Sequence, residues 1–167
     1  QNLLRQMKKA KIDLSLLIAT NKIGDTHGPD TRGAIKIAKD IPNIKIIGCV
    51  DVLKYTKKDL ADLEEWAKSG QIFGIKFYLG YQHFYPTDER CMPIYKICMK
   101  YGIPAVFHMG DTLAGCIKNP KIKYAHPLQI DDIATDMPNL KIVIAHMGNP
   151  WLIDCAEVLY KNPNVYA

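Results

Sequence analysis

Six short apolar runs recur along the chain at intervals of roughly 30 residues, the repeat length of a βα unit. Each run is followed by polar sequence in which apolar residues return at helical spacing. The runs are nearly continuous rather than alternating, which is typical of strands covered on both faces in a parallel sheet. They occupy residues 13–20, 44–51, 72–79, 103–109, 141–147 and 164–167.

Two of the intervening segments carry clear helix signals. Thr56 can cap a first helix that ends before Gly70. A second helix begins near Pro93 and ends before Gly102. The apolar faces of these two helices are formed by Leu60, Leu63, Trp66 and Ala67, and by Cys91, Ile94, Tyr95, Cys98 and Tyr101.

Two further helix starts are predicted at prolines. Pro127 and Pro150 suit a first helical position, and Asn149 suits the N-cap before Pro150. The alternation of strands and helices leaves an open doubly wound sheet or a (β/α) barrel. A doubly wound nucleotide-binding sheet usually has a glycine-rich phosphate turn, and neither GxGxxG nor GxxxxGK[ST] occurs. The barrel is therefore favoured.

Composition narrows the class of protein further. The 167 residues suffice for one domain, and 48% hydrophobic with 23% charged residues is ordinary for a soluble globular protein. No apolar run reaches the length of about 18 residues that a membrane span needs. The net charge of +5 comes from lysines spread over predicted helix faces. Without an aromatic-interleaved basic stripe, this favours solvated helices over nucleic-acid binding.

Cysteine usage and the N-terminus indicate the compartment. The five cysteines are an odd number without a CxxC pair, so we interpret them as buried thiols in a reducing cytoplasm. A thiolate metal site is the alternative. The N-terminal sequence lacks the features of a signal peptide, and its first residue is not Met, which fits a processed, trimmed or partly observed chain.

Two predicted strands end in nearly the same way. VFHMG carries His108 and IAHMG carries His146, each at the carboxyl end of an apolar strand and followed by a glycine turn. Catalytic groups of parallel barrels collect at this end. A histidine there can ligate a divalent metal or transfer a proton near neutral pH. A lone histidine beside a strand is more often a hydrogen-bonded core residue. The occurrence of the same local sequence at two strand ends favours a functional pair instead.

The same motifs carry a family resemblance. The segments are GIKFY at 74–78, YQHFYP at 81–86, DER at 88–90, GIPAVFH at 102–108, HP at 126–127, MPNLKIVIAHMGNPW at 137–151 and NPNVYA at 162–167. With them the chain resembles the amidohydrolase-2 branch of the amidohydrolase superfamily over almost its whole length. The most specific pieces are GxPxxFHxG and LKIVIAHMGxPW.

The resemblance implies a distorted TIM barrel with a divalent metal, usually zinc, at its C-terminal mouth. Such enzymes hydrolyse C–N or C–O bonds of small cyclic or carboxylated substrates, or decarboxylate aromatic acids. His108 matches the metal ligand of the fifth strand. His146 matches the histidine of the sixth strand, which is a second ligand or a proton-donating and water-orienting residue.

The family's HxH on the first strand and aspartate on the eighth have no counterpart here. A complete barrel needs about 250 residues. The sequence therefore predicts a partial (β/α)8 barrel with strands two to seven, forming one domain over residues 1–167 and representing a fragment of a longer chain.

Several other polar residues are predicted at the same mouth. Lys76 and Tyr78 lie at the end of the fourth strand. A lysine there bridges two metals in other branches after carboxylation, but a single metal is usual in this one, so Lys76 is either a contact for a substrate anion or structural. Asp111 could fix an imidazole or cap a helix. Asp25 and His27 follow the first run, and their role is open.

The remaining candidates lie on loops. His83 and Tyr85 belong to an aromatic segment that could contact substrate or cover the rim. Arg90 could pair with a substrate carboxylate or form a surface salt bridge. His126 precedes a proline and is expected to be a cap or loop residue.

Three functions stay open at this point. The first is a metal-dependent hydrolase, in which His108 is a ligand and His146 orients water or protonates the leaving group. The second is a metal-dependent, non-oxidative decarboxylase of an aromatic or unsaturated acid. The third is a non-catalytic small-molecule-binding domain with structural histidines. The expected partner is a small molecule, and a homo-oligomer is left open because unpaired barrel edges would expose ladder groups.

Overall fold

A single parallel sheet dominates the computed structural model, which describes residues 2–21, 23, 28–113 and 119–167. Its six strands lie side by side in the order of the sequence, and every neighbouring pair is parallel. A doubly wound sheet reverses its order at a switch point, so this topology confirms the partial (β/α) barrel. The strands are β1 (Ser15–Ile18), β2 (Ile44–Cys49), β3 (Ile75–Phe77), β4 (Ala105–His108), β5 (Ile142–Ala145) and β6 (Val165–Tyr166).

Helices occupy most of the segments between the strands. In the described part of the chain, three short 3₁₀ turns accompany them, at Glu89–Cys91, Ile122–Ala125 and His146–Gly148. None of the helices in the described ranges is long and apolar enough to cross a membrane. The helices are α1 (Asn2–Lys9), α2 (Thr31–Ala38), α3 (Lys57–Lys68), α4 (Leu79–Gln82), α5 (Met92–Tyr101), α6 (Gln129–Asp136) and α7 (Leu152–Lys161).

The signals predicted for α3 and α5 are confirmed. The Thr56 hydroxyl accepts a hydrogen bond from the Asp59 backbone N–H, and the Asp59 carboxylate accepts one from Thr56, which completes a capping box. Gly70 follows the end of α3 with φ +69°. Pro93 lies in the first turn of α5, and Gly102 ends the helix in the left-handed conformation.

The two helix starts predicted at prolines are wrong. Helix α7 begins at Leu152 rather than at Pro150, so Trp151 and not Asn149 holds the N-cap position, and the Asn149 amide donates to the Asp111 carboxylate. Helix α6 begins at Gln129, two residues after Pro127, because a hydrogen-bonded turn from His126 comes first. In both places a turn after the strand delays the helix.

The main core lies between the sheet and α5. Phe77 and Phe107 are partners in the register of β3 and β4, and their rings stack with centroids 4.8 Å apart. Tyr95 of α5 packs on both rings and donates its hydroxyl hydrogen to the Pro86 carbonyl. Because side chains alternate along a strand, the residues next to these phenylalanines face the barrel interior.

Cys49, Cys91, Cys98 and Cys155 are buried and unbridged, whereas Cys116 lies outside the described residues. Burial raises the pKa of the Cys91 and Cys98 thiols to about 12. These thiols are therefore protonated and unreactive near neutral pH.

Candidate functional site

The side chains of His108 and His146 meet at the carboxyl end of the sheet. His108 is the last residue of β4 and is paired in register with Ala145, the residue before His146. The two ring centroids lie 4.6 Å apart in an edge-to-face arrangement. The two imidazole rings therefore lie close enough to act on the same ion or substrate, as a functional pair requires. Whether each ring ligates a metal or transfers a proton stays a prediction.

The orientation of the His108 ring follows from its neighbours. Its Nε2 lies 2.7 Å from the backbone carbonyl oxygen of Asp111. A carbonyl only accepts, so Nε2 carries the hydrogen and Nδ1 of the neutral ring keeps the free lone pair. The rings of Tyr81 and Tyr78 flank the imidazole, with centroids 4.8 and 5.9 Å away.

Both imidazoles are held in the neutral form. Burial, and then the positive charge of Lys76, lower the pKa of His108 to about 4, against a smaller opposing effect of its hydrogen bond to Asp111. Burial and Lys76 also lower the pKa of His146, against the opposing charge of Asp111. Two neutral imidazoles side by side provide lone pairs for a metal or a proton.

Lys76 places a buried cation beneath the two histidines. Its side chain is 3% exposed and follows the inner face of β3, next to Val106 in the register. Among the described residues it has no ion pair or hydrogen bond, and its ammonium lies 5.6 Å from the centre of the Tyr78 ring. Burial lowers the pKa of Lys76 to about 8, so it stays mostly protonated at pH 7. An anion in this place would gain a charged partner.

A cavity of about 330 Å³ opens above these residues, a volume within the range of small-molecule sites. Most of its wall is apolar. The Thr20 hydroxyl oxygen in this wall is buried and has no hydrogen-bond partner within the described part of the chain. The lining residues are Ile18, Thr20, Ile23, Lys76, Tyr78, Tyr81, Val106, His108, Leu113, Ala145 and His146.

Besides Lys76, two of the predicted contacts lie at this cavity or support it. Tyr78 lines the wall, and its hydroxyl donates to the Ala19 carbonyl over 3.3 Å. Asp111 binds the His108 ring through its carbonyl, and its carboxylate accepts from the Asn149 amide. Sequence reasoning missed Thr20 and Tyr81, although Thr20 stands at the carboxyl end of an apolar run as the histidines do.

The structure does not bring the loop candidates to the cavity. His83 stacks on Tyr124 at 5.5 Å and hydrogen-bonds the Asn119 carbonyl, and Tyr85 packs on the same Tyr124 ring at 4.7 Å. These side chains form an aromatic cluster at the rim. Arg90 instead makes two hydrogen bonds, of 2.8 and 2.6 Å, to the carboxylate of Asp88.

The other two histidine positions have different outcomes. His126 stacks on Trp151 at 4.6 Å, and its Nδ1 accepts from the Leu128 backbone, as expected of a loop residue. Asp25 and His27 lie outside the described residues.

The donor set fits part of a metal site. Neutral imidazoles are ordinary ligands of zinc and of other transition metals. A catalytic zinc normally has three protein ligands, and within the described ranges no group of three histidine, cysteine or acidic side chains is close enough to hold an ion. His108 and His146 are the donors in the described ranges that fit two positions of such a site, and no described cysteine lies with them.

Solved structures share this fold. An uncharacterized TIM-barrel protein from Bordetella bronchiseptica is 25% identical, with a TM-score of 0.78, and the match covers 98% of this chain and 57% of that one. A 5-carboxyvanillate decarboxylase from Novosphingobium aromaticivorans, complexed with manganese and a nitrobenzoic acid, is 17% identical (TM-score 0.68; 96% and 53% covered). A probable 2-pyrone-4,6-dicarboxylic acid hydrolase from Acinetobacter baumannii is 13% identical (TM-score 0.64; 99% and 57% covered).

The chain thus spans a little over half the length of each of these proteins. No curated protein sequence matches it. The Amidohydrolase family model, Amidohydro_2, matches residues 21–167 and includes both histidine motifs, so the chain belongs to the Amidohydrolase family.

Proposed function

We propose that this chain carries part of the active site of a metal-dependent hydrolase that cleaves a C–N or C–O bond of a small cyclic or carboxylated substrate. The observation that supports this most directly is the pair of neutral imidazoles, 4.6 Å apart, above a buried ammonium. Membership of the Amidohydrolase family supports this reaction class, and the cavity volume suits a small molecule.

His108 and His146 would hold a divalent ion, for which we propose zinc. A divalent ion bound there lowers the pKa of a water molecule to about 7 and polarises a carbonyl oxygen. The lone pair of His108 Nδ1 is free for such an ion, because Nε2 is bound to Asp111. Where His146 is not itself a ligand, its neutral and more exposed ring would orient the attacking water and pass the proton it takes up to the leaving group.

Lys76 is the proposed contact for the substrate carboxylate. It is the one cation in the cavity wall formed by described residues, and it has no carboxylate partner of its own there. The surrounding wall of Ile18, Val106 and Tyr78 is mostly apolar, which strengthens an ion pair formed against it. The same wall offers flat apolar surface to a ring.

A decarboxylase is the second candidate, and Lys76 favours it. A carboxylate that leaves water for this apolar cavity loses its hydration, which promotes loss of carbon dioxide. The Lys76 ammonium, with a pKa lowered to about 8, is a proton donor of suitable strength for the resulting carbanion.

Metal binding and product analysis test the proposal together. Purified protein is titrated with Zn²⁺ and Mn²⁺ by calorimetry, and His108→Ala should weaken binding by about tenfold or more. His146→Ala should reduce turnover more than affinity. His83→Asn is the matched control, since that imidazole lies in the rim cluster. A panel of lactones, cyclic amides and aromatic acids is assayed for ring opening and for release of carbon dioxide.

The outcomes separate the three functions. Ring opening supports the hydrolase, and release of carbon dioxide supports the decarboxylase. If the protein takes up no stoichiometric metal and His108→Ala changes neither binding nor turnover, both enzymatic proposals fall and a non-catalytic binding domain remains.

A further inference from the structure

The loops that follow β4 and β5 touch backbone to backbone. Gly110, two residues after His108, has φ +75°, and a Cβ atom there would overlap the carbonyl oxygen of Asn149 and the backbone of Gly148. The Gly110 N–H donates to the Ala125 carbonyl over 2.6 Å, which fixes the loop from its other side. A side chain at position 110 would force the two histidine-bearing loops apart.

Asn149 joins these two loops by hydrogen bonds. Its side-chain amide donates to the Asp111 carboxylate over 2.7 Å. Its backbone N–H donates to the His146 carbonyl over 3.0 Å. One residue is therefore bound to the turn that carries His146 and to the loop that holds His108, and we call the side-chain pair of Asp111 and Asn149 the loop clasp.

The loop clasp acts on His108 through the peptide of Asp111. The carbonyl of that residue accepts the Nε2 hydrogen of His108, while its carboxylate is held by Asn149. If the carboxylate were released, the exposed Asp111 peptide could turn, and the acceptor opposite Nε2 would be lost. The His108 ring would then exchange between its two neutral tautomers, and Nδ1 would no longer always carry the lone pair.

We propose that Asn149 is a positioning residue that, through Asp111, fixes the His108 ring and its Nε2–H tautomer for ligation through Nδ1. The consequence for metal binding rests on the function proposed above, whereas the effect on the tautomer does not. Asn149 lies outside the N-cap position of α7, which Trp151 holds, so its side chain is available to bind the opposite loop.

The experiment uses the metal-free protein first. The tautomer of His108 is read from the ¹⁵N shifts of its ring in a long-range ¹H–¹⁵N correlation spectrum. We expect Nε2–H in the unmodified chain and a mixture of tautomers in Asn149→Ala. The exchanged double variant Asp111→Asn with Asn149→Asp restores an amide–carboxylate hydrogen bond with the roles reversed, and it should recover Nε2–H.

Calorimetry with Zn²⁺ forms the second readout. Asn149→Ala should weaken binding by about 10- to 100-fold, the usual effect of removing an outer partner of a ligand, and the double variant should regain most of it. Asn139→Ala is the control, since that exposed side chain has no hydrogen bond to a described residue. Circular dichroism and urea unfolding identify a variant that has lost its fold, and Asn149→Leu, which keeps a branched side chain but has no amide, then replaces it.

The results distinguish the two proposals. An Nδ1–H tautomer in the unmodified protein, or a tautomer that is unchanged in Asn149→Ala and Asn149→Leu, overturns the loop clasp. If the tautomer responds as expected but the unmodified protein binds no metal, the positioning role stands and the metal-dependent function falls.

Discussion

Lys76 sets the electrostatics of the candidate site. Its neighbours in the sheet register are Cys49 and Val106, neither of which neutralises an ammonium. Burial lowers the pKa of Lys76 itself, and the Lys76 charge adds to burial in lowering the pKa of His108 and of His146. An unpaired buried cation destabilises a fold, so its presence at the cavity is better explained by binding than by stability.

The lowered pKa of Lys76 predicts how the free energy of unfolding depends on pH. The pKa of Lys76 is about 8 in the folded chain against an ordinary 10.5, so the unfolded chain binds more protons between these values. The free energy of unfolding therefore gains a rising contribution from pH 8 to pH 10.5. In Lys76→Met this contribution should vanish, and the variant should be the more stable of the two at pH 7.

Urea unfolding across that pH range measures the effect. Lys141→Met, which removes an exposed lysine, is the control and should keep the pH dependence of the unmodified chain. If the two variants follow the same pH dependence, Lys76 is not buried in its charged form.

Individual residues show what sequence could predict of the site. His108 and His146 could be found because a strand end fixes where a side chain points. Arg90 could not be assigned, since a single carboxylate two residues away, that of Asp88, takes its guanidinium. The same holds for His83, whose position depends on Tyr124 about forty residues later in the chain. Such side chains are directed by contacts that spacing does not reveal.

At the level of elements, helix ends were predictable where the signal is local. The capping box of α3 depends on residues three apart, and the left-handed Gly102 depends on its lack of a side chain. The starts of α6 and α7 depend instead on turns that pack beneath them. Asn149 is a residue type typical of an N-cap, but the turn after β5 places Trp151 in that position of α7, and the Asn149 amide donates to Asp111 on another loop.

The α3 cap gives a stability prediction. Thr56→Ala removes the hydroxyl oxygen that accepts from Asp59, so the backbone N–H of Asp59 in the first turn of α3 loses its hydrogen-bond acceptor. We expect a loss of about 1 kcal/mol in the free energy of unfolding. Thr87→Ala, an exposed loop threonine with no hydrogen bond to a described residue, should change it by less than about 0.5 kcal/mol. Equal values for the two variants in urea unfolding would show that the box is not formed in solution.

For the molecule as a whole, the number and order of the strands could be predicted from the repeat of apolar runs. The solvent exposure of the inner face of the sheet could not. Each of β1 and β6 has one neighbouring strand among the described residues. On β1, Ile18 faces the cavity, and Leu16 lies on the same face two residues earlier. These side chains are 39% and 56% exposed, although a closed barrel would cover them with strands across the interior.

This open face and its edges predict self-association of the 167-residue chain. An unpaired strand presents free ladder groups, and an apolar row beside it adds a surface that leaves water on contact. We expect concentration-dependent association at micromolar concentrations, measured by sedimentation velocity. Leu16→Lys should shift the equilibrium toward monomer, because a charge on an edge strand opposes pairing. Ile153→Lys, at an 87% exposed position on α7, should not. A chain that stays monomeric at every concentration, or that responds equally to both lysines, would show that β1 is not the contact surface.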